Sequence, residues 1–114
     1  MALELGPEDA KLVTLARSSR ARARSTEGAA IRDRDGRTYA AVSVDLPSLS
    51  LTAVQATVAM AVASGVTGLE AAVVVTDALG VGEADADVVR DFAGAGVPIY
   101  RADGTGAVLD QATT

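Results

Sequence analysis

Two groups of residues in this sequence carry types and spacings that could do chemistry. Asp77, Glu83, Asp85 and Asp87 gather around one short stretch, and Arg17, Arg20 and Arg24 recur at i, i+3 and i+7. Carboxylates at such spacing have the hard oxygen chemistry of a Mg2+ or Ca2+ site. Their run lacks the regular alternation and bidentate Glu of a dedicated calcium loop. Glu83 and Asp85 also suit the front of a helix, where acids are favoured by the dipole. Helix capping and solubility are the expected role, and no metal site is assigned. The three arginines share one helical face, and such a stripe can track phosphates. No aromatic is interleaved to stack bases, so the plainer reading is a solvated or intersubunit salt-bridging face. Arg32, Arg34 and Arg37 would extend the patch, with Asp33 and Asp35 offsetting them.

What is missing decides more. The chain contains no Cys and no His, which removes disulfides, thiolate zinc sites, catalytic thiols and histidine bases together. Ser43, Ser48 and Ser50 have no histidine to activate them. "GVGEA" and "GAG" fit neither the dinucleotide fingerprint nor the P-loop, and the only lysine, Lys11, is far from both.

Composition bounds the elements that must position these residues. A chain of 114 residues suits one domain, residues 1–114, burying about 65% of its unfolded surface. Apolar residues make up 49% and aromatics 3%, so Ala, Val and Leu must fill the core. The net charge of −5 is uneven: residues 1–40 hold eight basic and six acidic groups, and residues 41–114 hold two and nine. Bulk nucleic-acid binding is disfavoured by the total, while the basic end keeps it open. The N-terminal "MALELGPEDAK" lacks the basic-then-apolar layout of a secretory signal, so a cytoplasmic location is expected.

Gly6-Pro7-Glu8-Asp9 reads as a helix start, with Leu12, Val13, Leu15 and Ala16 as its apolar face and an end near Ser25. A hairpin follows, with strands over Gly28 to Ile31 and Tyr39 to Val44 and an Asp35-Gly36 turn signal; Pro47 and Ser48 break the second strand. The uncharged "LPSLSLTAVQATVAMAVASG" is interrupted by polar residues and falls short of a membrane span. Thr52 and Gln55 have capping-box spacing and Gly65 is a stop signal, so a buried core or interface helix is expected over Thr52–Ser64. "LEAAVVVTD" is a strand covered on both faces, a helix runs near Ala86 to Ala93 until Gly94, and "VPIYRADG" is a strand. The strand–helix–strand length favours a parallel pair. From about residue 105 the chain is either a short edge strand or a frayed tail.

Gly28-Ala29-Ala30, Asp35-Gly36-Arg37 and Leu51-Thr52, in this order and spacing, resemble the small, homotetrameric type of cytidine deaminase. The likeness runs from about Leu12 to Gly104. It implies an α/β fold, a three-layer α/β/α cytidine deaminase-like domain with a mixed sheet of about five strands. It also implies a homotetramer or homodimer. On this resemblance the family's zinc-binding Cys falls on Val54 and its catalytic Glu on Ala56. The two later thiolate ligands fall near Gly82 and Asp85. Val54 cannot bind a metal and Ala56 cannot carry a proton, so no zinc cofactor is expected. The family's ribose contacts fall on Ser43 and Asp45, and Leu46 and Leu49 replace an Asn and a Tyr, which would make the pocket more apolar. The resemblance implies a catalytically inactive homologue that binds or assembles, with a vestigial nucleoside pocket. Two alternatives are a nucleoside deaminase by descent with a non-standard site, and an RNA- or phosphate-binding accessory protein using the arginine face.

Overall fold

The structure is a computed structural model that describes residues 2–114. The first helix, α1 (Pro7–Ala23), opens with Pro7 in its first turn and Glu8 and Asp9 at the positive end of the dipole. It buries Leu12, Val13, Ala16 and Ser19. Its end comes before Ser25, because Arg24 takes a left-handed conformation (φ 52) and caps the helix with its amide.

β1 (Gly28–Asp33) and β2 (Thr38–Val42) form the expected hairpin, closed by Gly36 at φ 86. The second strand does not run on to Val44. It stops at Val42, and β3 (Val44–Leu46) pairs with β4 (Leu49–Leu51) as a separate two-stranded sheet turning at Pro47-Ser48. Proline presets a turn and cannot donate to a ladder, so the break becomes the tip of a small hairpin.

α2 (Ala53–Ala63) carries the full capping box: Thr52 Oγ1 accepts from the Gln55 amide, and Gln55 Oε1 accepts from the Thr52 amide. β5 (Leu69–Val75), α3 (Glu83–Ala93), β6 (Pro98–Ala102) and β7 (Val108–Thr113) complete the chain. α3 starts at Glu83 rather than near Ala86, its N-cap being Gly82, which offers no side-chain signal. The last segment is not frayed: β7 pairs antiparallel with β6 along the sheet edge.

The main sheet has the order β2-β1-β5-β6-β7, with β5 and β6 parallel and the other pairs antiparallel. Alternation along the central strands splits the core in two. Ala29, Ile31, Ala72, Val74 and Ile99 face α2 and α3, against Val54, Val58 and Val89. Ala30, Ala71, Val73 and Val75 face α1, against Leu12 and Ala16. This is a three-layer α/β/α arrangement around a mixed five-stranded sheet. Where α1 crosses β1 the two backbones touch. A Cβ on Gly28 would collide with the Ala16 carbonyl oxygen and lie 2.9 Å from Arg20 Cβ.

α2 is covered on one side only. Val54, Ala56, Thr57, Val58 and Ala61 are buried, while Met60 (44% exposed) and Val62 (55%) face outward. No described helix is long and apolar enough to cross a membrane.

Candidate functional site

Several strand ends meet where β5 finishes at the centre of the sheet. Gly28 pairs with both Val42 and Val75, which brings Glu27, Ser43 and Thr76 to one end of neighbouring strands. Thr76 Oγ1 donates to Glu27 Oε2 at 2.9 Å and accepts from the Ala78 amide. Ser43 Oγ lies 2.7 Å from Ser25 Oγ and 3.2 Å from Thr26 Oγ1, so three hydroxyls share hydrogen bonds. Asp45 is apart from them, exposed on the β3–β4 hairpin. Leu46 and Leu49 also point outward, so they do not fill a pocket.

Asp85 is the buried ionisable group of this region, 5% exposed in the first turn of α3. Thr52 Oγ1 donates to its carboxylate at 2.6 Å, tying the first turns of α2 and α3 together. Burial pushes its pKa up, the Thr52 hydrogen bond partly opposes this, and the Glu27 charge adds to the rise. Asp85 thus cross-links two helices rather than serving as a solvated helix-front acid. The other three carboxylates do not join it. Asp77 pairs with Arg20, Asp87 pairs with Arg90, and Glu83 is exposed. Among the described residues no group of three or more carboxylates is arranged to hold a metal ion.

Val54 is fully buried and Ala56 is 8% exposed, both packed within α2, and Gly82 has no side chain. A catalytic zinc takes three protein ligands from His, Cys or carboxylate at about 2.0–2.3 Å and keeps one position for water. The positions on which the resemblance places those ligands offer methyl groups, a bare backbone and one carboxylate engaged by Thr52. They do not fit zinc.

On the other face of the sheet, Arg17, Arg20 and Arg24 come together in one groove of about 790 Å³, with Ser18, Ser25 and Asp77 among its walls. Arg17 Nε donates to the Gly104 carbonyl at 3.3 Å, and Arg20 reaches Asp77 at 3.1 Å. The hairpin arginines do not extend this patch. Arg32 bridges Asp9 and Glu70, each at 2.8 Å, and Arg34 lies against Gly68.

Glu27 and Thr76 went unmarked in the sequence. An acid in a helix–strand connection is ordinary, and only the pairing of β1 with β5 brings Glu27 to Thr76.

A three-layer sandwich on a mixed sheet, with helix starts meeting beyond the end of a parallel strand, defines the class. The family profile described as "Cytidine deaminase-like" matches residues 5–106. The chain belongs to the cytidine deaminase-like family. Its fold is similar to that of a cytidine deaminase from Burkholderia pseudomallei (19% identity, TM-score 0.78, 90% of each chain covered). It is also similar to a cytidine deaminase from Mycobacterium leprae (22% identity, TM-score 0.71, 92% of this chain and 93% of that one). A third, from Mycobacterium tuberculosis, shares 25% identity with a TM-score of 0.67, over 78% of this chain and 80% of that one. Among curated proteins nothing matches.

Proposed function

We propose that this chain is a catalytically inactive cytidine deaminase homologue working as a binding or assembly protein. One observation carries the reading. At the head of α2, where the resemblance puts a zinc ligand and a proton carrier, stand the buried aliphatic side chains Val54 and Ala56. Deamination of this kind needs a metal-activated water and a carboxylate to move the proton. With no Cys or His anywhere in the chain, no shift of alignment restores the ligand set. The hydroxyl cluster of Ser25, Thr26 and Ser43 retains hydrogen-bonding capacity of the kind a nucleoside sugar uses. The outward apolar residues Met60 and Val62 of α2, with Leu46 and Leu49 nearby in sequence on the β3–β4 hairpin, support self-assembly as homodimer or homotetramer.

The test pairs metal analysis with turnover. Purified protein, loaded with zinc and dialysed, is expected to retain a small fraction of an equivalent and to release no ammonia from cytidine. Stoichiometric zinc together with ammonia release would defeat the reading in favour of an enzyme with a non-standard site. A melting-temperature screen of nucleosides reports separately on the pocket, since ligand at 100 times its dissociation constant stabilises by about 2.7 kcal/mol.

A further inference from the structure

We infer that the groove along the second half of α1 is a binding site for a compact phosphate ester whose remaining part bears hydroxyls. Arg17, Arg20 and Arg24 wall one concavity, with Arg17 held by the Gly104 carbonyl and Asp77 as the single carboxylate among the lining residues. That carboxylate is 83% exposed, so its pair with Arg20 is solvent-screened and weak. A phosphate dianion, taking bidentate charge-assisted hydrogen bonds from several guanidiniums, displaces it. Arg24 has no ion-pair or hydrogen-bond partner for its side chain among the described residues. It is also the one described non-glycine residue at positive φ. A helix end of this geometry favours glycine. Here the position holds the side chain that completes the cationic wall.

The dimensions and surroundings choose the ligand class. Arg24, the cap of α1, follows Arg17 by seven positions, about 10 Å along the helix axis. The groove volume of about 790 Å³ lies in the range of small-molecule sites. No aromatic lines it, so a base would find nothing to stack on. Residues 41–114 hold two basic and nine acidic groups, so an extended polyanion running off the basic N-terminal segment meets an acidic remainder. Ser18 lines the groove and brings a hydroxyl-bearing side chain suited to a sugar-like remainder.

The native chain is titrated with ribose 5-phosphate at low salt by calorimetry, with inorganic phosphate, ribose and a short oligouridylate as comparisons. Ribose 5-phosphate is expected to bind saturably at one site per chain and more tightly than inorganic phosphate, with no heat from ribose. Arg24→Gly should weaken binding about tenfold while leaving the melting temperature unchanged or higher. Asp77→Asn, which releases Arg20, should tighten binding severalfold. The inference is overturned if ribose 5-phosphate shows no saturable binding at millimolar concentration, or if Arg24→Gly binds like the parent. Tighter binding of oligouridylate overturns it in favour of a nucleic-acid surface, and equal affinity for inorganic phosphate overturns the hydroxyl-bearing part of the assignment.

Discussion

Replacing Thr52 by Val removes one hydroxyl that serves two helices. In the native chain this oxygen accepts from the Gln55 amide at 3.0 Å and donates to Asp85 at 2.6 Å. Valine matches threonine closely in size, so packing changes little. Losing the cap costs about 1 kcal/mol. Leaving the Asp85 carboxylate buried without its donor costs about 1–3 kcal/mol more, for a total of about 2–4 kcal/mol. In a chain of this length the melting temperature moves by about 4 °C per kcal/mol, so a fall of roughly 8–16 °C is expected. The two contributions separate by pH. Burial raises Asp85 above the ordinary carboxylate pKa of 3.8. An acid raised in the folded state binds more protons folded than unfolded between the two pKa values. Stability therefore falls as pH rises through that window and levels off above it. Thr52 opposes the rise, so its removal pushes the folded value further up. The Asp85 share of the penalty is then larger at neutral pH and shrinks as the pH drops toward about 4. Urea denaturation of Thr52→Val at both pH values, with Thr52→Ser as the variant that keeps the hydroxyl, measures this. A loss no larger than that of an ordinary cap at neutral pH, or the same loss at both pH values, would refute the reasoning.

Gly28→Ala is expected to destabilise by about 1–3 kcal/mol in urea, because the new methyl meets the Ala16 carbonyl and a backbone oxygen cannot move aside alone. Burial raises the Asp33 pKa, but hydrogen bonds from the Tyr39 hydroxyl and the Arg37 and Asp35 amides outweigh this and hold it below 3.8. Its stabilisation is present above 3.8 and lost as pH falls through the folded value, so Asp33→Asn should flatten the acid limb of a stability-against-pH curve. Asp110→Ala leaves the buried Arg101 guanidinium with only the Ala78 carbonyl, at 2.8 Å. With Asp110 itself 45% exposed, a loss of about 1–2 kcal/mol is expected by thermal denaturation.

What could be read from the sequence follows from how local each cause is. The α2 start was legible because Thr52 and Gln55 complete each other's hydrogen bonds within four residues. The β1–β2 turn was legible because Gly36 supplies positive φ beside Asp35. The residue that ends α1 was not legible, because left-handed Arg24 is an exception to residue preference. β3 and β4 are three residues each, too short for any alternation to show. β7 alternates exposed and half-buried positions along the sheet edge, and its pairing partner β6 had to be known first. The same applies to the site. Asp85 carries every sequence mark of a surface acid, and only the meeting of α2 with α3 buries it against Thr52. The arginine stripe was legible as a helical face, whereas the groove needs Asp77 and Gly104 from distant segments.

The strand order also governs how the chain reaches this shape. β1 and β2 are neighbours in sequence and can zip locally, but β1 must also pair with β5 across the long intervening segment that holds the small hairpin and α2. The entropy of closing that loop is lost before any central contact rewards it. Until that seam shuts, Val54 and Val58 lack the strand face that shelters them. The interval before closure is therefore when the greasiest segment of the polypeptide is most open to capture by other chains.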